Sequence, residues 1–416
     1  MKLKNFFVGL AVIGGMFVSG CGNDTTVAGA PGANGLNGAT GPAGILPVPT
    51  VAGATSTPGV GVAGGGTPIT ITGTNFVQGF TSVTIGGVAA TNVVVAAGGT
   101  TLTAVTPAGV PGARNIVVTT PGGSATITNG FTYQNAVLLV SNSLGNSIVS
   151  FPHNATGNVA PARTLTDALS IPVGIFANAG ELLVPTLGNS EIRIFSSTAS
   201  GAAAPVRLIA GALTQLASPR SVSVSDNLIF TANQVANRIT IHSLAATGNV
   251  PPLRVIEGAN TGLDNPHDTF VGGNNLWVAN TSGASVQLFD SRGSGNIAPL
   301  RTITGALTTL ISPESIWVAN GEVYVYDSGA DEVAVFPVTA DGNVAPSRRF
   351  TTPTANFGEL LVFNGEIYLA TEPNIVNVYL TTDTGTLPAP QRSITGALTT
   401  FNQTSSLAID PTITLP

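Results

Sequence analysis

The chain has 416 residues, room for about three domains, with 51 glycines, 28 prolines and only 8% charged residues. That balance excludes a long charged disordered tail, and with Val, Thr, Ile and Ala throughout it points to many short strands and tight turns. Formal charge is −6, and because both lysines lie in the first four residues the remainder carries twelve arginines against twenty acids, which argues against nucleic acid and other anionic polymers as partners.

Residues 1–20 have the order of a secretory signal: a basic start (Met1–Lys4), an apolar run (Phe6–Val18), then Ser19-Gly20 before Cys21. Val18-Ser19-Gly20-Cys21 resembles a bacterial lipobox. The resemblance implies cleavage before Cys21 and diacylglycerol on its sulfur, with each buried methylene contributing about 0.8 kcal/mol to anchorage. An ordinary signal peptide with a stray cysteine is the alternative, and Cys21 has no second cysteine to pair with. Gly22 and Asn23 do not resemble an inner-membrane retention signal, so a lipid-anchored place at the outer membrane or cell surface is expected. Residues 21–44 read as a tether. Glycines at 29, 32, 35, 38, 41 and 44 keep a collagen-like phase, but so few triplets and prolines suit a flexible spacer better than a trimerising stalk. A monomer is expected.

Residues 45–134 carry short alternating strands punctuated by Gly and Pro, the pattern of an antiparallel sandwich. They include Thr67-Pro-Ile-Thr-Ile-Thr-Gly73-Thr-Asn75-Phe76, the Gly86-Gly87 hairpin, Thr106-Pro107-Ala108, Arg114–Thr119 and the closing Gly130-Phe131-Thr132-Tyr133. In this order they resemble the IPT/TIG immunoglobulin-like domain, which implies a spacer or adhesive unit. Arg114 is its one charged residue, so neither an acid–base pair nor a metal site can be built there.

Residues 135–416 repeat one unit. A Pro two places before an Arg recurs at Pro161/Arg163, Pro205/Arg207, Pro252/Arg254, Pro299/Arg301, Pro346/Arg348 and Pro390/Arg392, at steps of 44, 47, 47, 47 and 44 residues. Such a period marks a propeller or solenoid. Each unit reads as four strands, the content of a propeller blade; the unit at Pro313 shows Ser315–Val318, Glu322–Val325, Glu332–Phe336 and the Pro-x-Arg strand. The units resemble the NHL repeat, with departures at Phe357-Gly358 and Thr404-Ser405 where others have Pro. After Arg392 only Ser406–Asp410 remains as an inner strand, while Val137–Val140, Ser147–Phe151 and Ala162–Leu165 supply three more. One plus three completes a blade, so a six-bladed ring sealed by the ends of the repeat region is expected. The fold class is all-β throughout.

Ligands of propellers usually sit at the central channel, an analogy of fold alone. The residues entering the inner strands are Val173-Gly174, Arg220-Ser221, His267-Asp268, Glu314-Ser315, Gly358-Glu359 and Ser405-Ser406. Arg220, His267, Asp268, Glu314 and Glu359 are thus the channel-binding candidates. Asp268, Glu314 and Glu359, with His267, could gather Ca²⁺ or another divalent ion, as lactonase-type six-bladed enzymes do. Against this, Arg220 would repel a cation, and a solvated, mutually neutralising funnel is the plainer reading. The six Pro-x-Arg arginines read as structural donors to backbone carbonyls or an acid, and His153 and His242 as surface residues. No Gly-x-Ser-x-Gly elbow, His-Glu-x-x-His, phosphate loop or cysteine nucleophile is present. The expected function is a non-enzymatic envelope module that binds, adheres to or scaffolds a protein or glycan. The alternative is a channel-mouth hydrolase or lyase using His267, Asp268, Glu314 and Glu359.

Overall fold

The computed structural model describes residues 46–134, 136–353, 357–371 and 374–410; the signal peptide, Cys21 and the tether lie outside these residues. Residues 50–134 form two sheets. One pairs Thr50–Thr57, Pro68–Thr74, Thr101–Val105 and Thr91–Val95; the other pairs Val60–Val62, Gly123–Gln134, Gly112–Thr120, Ser82–Ile85 and Val88–Ala89. Alternation in Pro68–Thr74 sends Ile69 and Ile71 inward beside Val83, Ile85, Leu102, Ile116 and Phe131, as a period of two requires. Tyr133 meets Phe131 edge-on at 5.0 Å and donates its hydroxyl to Pro107 O at 2.7 Å, so the conspicuous aromatic end and the Thr-Pro-Ala corner are one contact.

The repeats fold into six four-stranded sheets. Blade 1 joins Thr404–Asp410 to Val137–Asn142, Ser147–Pro152 and Arg163–Leu165. Blades 2 to 6 start at Phe176, Pro219, Pro266, Pro313 and Gly358. The closing pair is antiparallel, with Val137 opposite Asp410, Val140 opposite Leu407 and Ser141 opposite Ser406. The expected one-plus-three blade and its seal are therefore present.

Each of the six blade junctions has its own apolar core. Leu183, Ile192 and Ile194 of blade 2 meet Val222 and Ile229 of blade 3, and Leu138, Val140 and Phe151 of blade 1 meet Leu361, Tyr368 and Val376 of blade 6. The remaining four clusters bridge the other neighbours in turn. Burying one such Leu, Ile or Phe is worth about 1.5–3 kcal/mol, and every blade buries apolar residues against both of its neighbours.

The rim is laced as well. The outer strand of each blade bridges in parallel to a turn glycine of the next: Leu165 to Gly201, Ile209 to Gly248, Ile256 to Gly295, Ile303 to Gly342, Phe350 to Gly385 and, across the closure, Ile394 to Gly157. Gly295 sits at φ 75° there, a left-handed conformation that glycine adopts without a Cβ penalty. The asparagine after it, Asn296, accepts the Asn260 N–H at 2.7 Å. Asn158, Asn249 and Asn343 serve Leu398, Leu213 and Leu307 in the same way.

Candidate functional site

The twelve inner-register residues form two tiers, and both run from blade to blade. In the second tier, the side chain of one blade accepts the main-chain N–H at the following position of the next. Ser221 Oγ accepts Thr269 N–H at 3.0 Å, Asp268 Oδ2 accepts Ile316 N–H at 2.9 Å, and Ser315 Oγ accepts Leu360 N–H at 3.0 Å. Glu359 Oε1 accepts Leu407 N–H at 3.4 Å, and Ser406 Oγ closes the circuit on Ile175 N–H at 3.0 Å. Gly174 has no side chain to continue the series. A Cβ there would stand 2.6 Å from Arg220 O and 2.8 Å from Pro185 Cγ, so close packing replaces the hydrogen bond at that junction.

The first tier is a chain across blades 3 to 6. Arg220 Nε donates to His267 Nε2 at 2.7 Å, His267 Nδ1 lies 2.8 Å from Glu314 O, and Gly358 N–H donates to Glu314 Oε2 at 3.1 Å. An arginine nitrogen can only donate, so His267 Nε2 accepts, its proton sits on Nδ1, and the imidazole is neutral. The Arg220 guanidinium also lies 5.3 Å from the Phe357 ring centroid, a cation–π distance.

Electrostatics agree with these bonds. Burial, then the Arg220 charge, holds the His267 pKa well below the ordinary value. Burial pushes Asp268 up to about 6 against the hydrogen bonds it accepts from Ile316, Ser315 and Thr269. Burial likewise pushes Glu314 up to about 7, opposed by Ser328, the Gly358 N–H and Arg220. Glu359 is raised well above the carboxylate range by burial and by the Asp268 charge, and burial lowers Arg220 against the pull of Glu314 and Glu359.

The expected solvated funnel is thereby corrected. His267, Asp268 and Glu314 are 9%, 8% and 4% exposed, and Arg220 bonds a histidine rather than an acid. Below the tiers lies a cavity of about 80 Å³ lined by Asp268, Glu359, Ser221 and Thr269 and walled by Trp317, Phe270 and Leu407. The donor set does not suit a divalent ion. Asp268 already has Thr269 N–H on Oδ1 at 2.7 Å and Ser315 Oγ on Oδ2 at 3.0 Å, and among the described residues no three His, Asp or Glu side chains converge to hold one.

Ser221, Ser315 and Ser406, which carry no charge and are not among the channel-binding candidates, act with Asp268 and Glu359. The available signal was register: all five carry a side-chain oxygen at one blade position. His242 is not the surface residue expected, and His153 is only partly one. His153 is half-buried with its ring edge-on to Phe363 at 5.9 Å, and His242 is 1% exposed. Four of the six Pro-x-Arg arginines are structural donors, while the Nε and Nη2 of Arg163 are buried without a hydrogen-bond acceptor. Arg207, Arg348 and Arg392 pair with Glu181, Glu322 and Glu366 at the start of the second strand of their own blade. Arg254 donates to Ser291 O at 2.8 Å and Gly293 O at 3.2 Å, Arg348 to Thr381 O at 2.8 Å and Arg392 to His153 O at 3.2 Å, all on the next blade. Arg301 instead lies over Trp277 at 5.6 Å.

Among solved structures, the chain is similar to a nidogen/laminin complex at 14% identity, covering 66% of this chain and 98% of that one with a TM-score of 0.48. A protein of unknown function from Bacteroides caccae gives 14%, 66%, 98% and 0.47, and the WD40 β-propeller domain of Doa1 gives 15%, 63%, 83% and 0.44. A search of curated proteins returns no match. Residues 54–134 match the family model of the IPT/TIG domain, so the chain is an IPT/TIG sandwich followed by a six-bladed propeller whose ring is closed by its own two ends.

Proposed function

We propose that this protein is a non-enzymatic binding and scaffolding module of the cell envelope, carried on a lipid-modified Cys21 and a spacer, that holds a protein or glycan partner. The reading is supported chiefly by the channel register: its ionisable groups are engaged in joining blades, so they serve the ring rather than a reaction. Apolar side chains stand free on the outside instead. Val206, Leu253 and Leu300, each the middle residue of a Pro-x-Arg on successive blades, are 60%, 62% and 61% exposed, and Phe80 of the sandwich is 72% exposed. Aromatic side chains such as Phe80 are enriched at the cores of partner interfaces, and the three aliphatic ones offer apolar area beside Arg207, Arg254 and Arg301 in the sequence. The lipidated address rests on the resemblance of Val18–Cys21 to a lipobox and on the absence of a partner cysteine in the sequence.

The test is capture from envelope extract by the tagged mature chain. A specific protein or glycan should be retained by wild type and by Glu314→Gln, and its capture should fall at least tenfold when Val206, Leu253 and Leu300 are all changed to Asp. Hydrolysis of lactone substrates by wild type, abolished in Glu314→Gln, would overturn the reading in favour of the enzyme.

A further inference from the structure

Arg163 lacks the partners that sister blades give to the same register. In blade 5, Glu322 stands opposite Pro337 and Arg348 opposite Val335. In blade 1 that register holds Val137 opposite Pro152 and Arg163 opposite Ser150. Val137 thus takes the place of the glutamates that pair with Arg207, Arg348 and Arg392. A second partner is replaced as well. The hydroxyls of Tyr324 and Tyr368 accept Nη2 of Arg348 and Arg392 at 3.2 and 2.8 Å, whereas Leu139 fills that register in blade 1. Carboxylate and phenol have both become hydrocarbon.

The guanidinium is therefore left with donors and no acceptor. Arg163 Nε and Nη2, the two nitrogens of the side-on fork that clasps an anion, are buried without a hydrogen-bond partner. Beside Arg163 is a cavity of about 10 Å³ lined by Leu139, Ile148 and Ser150 of blade 1 and by Leu182 and Ser197 of blade 2, room for about one water-sized sphere. Ser197 is 3% exposed, and among the described residues none bonds its hydroxyl. Ser150 Oγ already donates to Arg163 O at 3.3 Å. Asp410, opposite Val137 on the closing strand, favours the charged guanidinium against its burial but gives neither Nε nor Nη2 an acceptor. A buried cation without a bonded counter-charge is costly.

We infer that the junction of blades 1 and 2 holds one small monovalent anion of about chloride's size, bound by Arg163 and Ser197 in place of the missing glutamate. Water would fit but brings no charge, and a carboxylate or phosphate is too large for the space. No side-chain bond fixes the guanidinium, so it can turn to bring both nitrogens of the fork to the ion, with the Ser197 hydroxyl donating from the opposite blade. Such an ion binds only where the two blades meet, so it stabilises the folded ring by mass action.

Melting of the intact chain in about 1 to about 300 mM chloride, with gluconate (too large for the cavity) holding ionic strength constant, tests this. Wild type should melt at least about 2 °C higher at the upper chloride concentration, and bromide should act in the same way. Arg163→Gln should lose that response. Val137→Glu supplies the carboxylate of the sister blades, so it too should ignore chloride. Crystals grown in bromide should show anomalous density within hydrogen-bond reach of Arg163 and Ser197. Equal chloride responses in wild type and Arg163→Gln, or bromide crystals with no density at Arg163, would overturn the proposal. If Val137→Glu does not fold, those two results are enough to decide it.

Discussion

His242 shows how one residue can depart from the repeat without altering it. The fifth residue of each third strand is Phe151, Phe195, His242, Phe289, Phe336 and Tyr379 in chain order, so an imidazole fills a slot that is aromatic and apolar in every other blade. Burial lowers its pKa, against the Thr214 backbone. A depressed histidine stabilises the fold above its unfolded value, about 6.5, and that contribution is lost as pH falls towards the folded value. His242→Phe should raise stability by about 1 kcal/mol at neutral pH by removing a desolvated polar ring. It should also make the decline below pH 6.5 shallower, the residual slope belonging to His267. Chemical denaturation at pH 5 and pH 7 measures both; an unchanged acid limb would show that the imidazole is not titrating in the core.

At the scale of the element, the Gly-Asn turn explains more than its brevity suggests. In blade 4 it does two things: Gly295 bridges to Ile256 of blade 3, and Asn296 caps the short 3-10 turn Ala259–Thr261 that follows. The turn's leading glycine, Gly258, has φ 116°, and a Cβ on it would stand 2.6 Å from Asn296 Oδ1, so the two residues specify each other across a blade junction. Asn296→Ala leaves the Asn260 N–H to water and should lower stability by about 1 kcal/mol, with faster exchange confined to residues 258–262. Strands and blades were legible in the sequence because apolar alternation and the Pro-x-Arg step report backbone period directly. Four of the arginines were legible as structural for the same reason. The seams were not, because hydrogen-bond acceptance at one register is met interchangeably by Ser, Asp and Glu, whose chemistry looks unrelated when read along the chain. Charge in that register therefore suggested a cation site, whereas burial and the N–H donors of the neighbouring blade decide what the acids do.

For the molecule as a whole, cooperativity should depend on a strand that arrives last. Six junctions with separate cores share a single topological closure, and Thr404–Asp410 supplies it through its register with Val137–Asn142 and its bonds to Glu359 and Ile175. A chain ending at Gln403 loses Leu407 from the junction core of blades 1 and 6, about 1.5–3 kcal/mol by itself, and bares Val137–Asn142 as an open edge. Open edges pair with other chains. The truncated protein should melt at least about 5 °C lower, over a broader transition, and associate through blade 1. A synthetic peptide of Thr404–Asp410 should restore the single transition when added in excess, because binding only to the folded form shifts stability by mass action. Calorimetry with and without the peptide decides the matter: a truncated chain that melts like the full one would mean the ring is held by its blade cores alone, and closure would then carry none of the stability assigned to it.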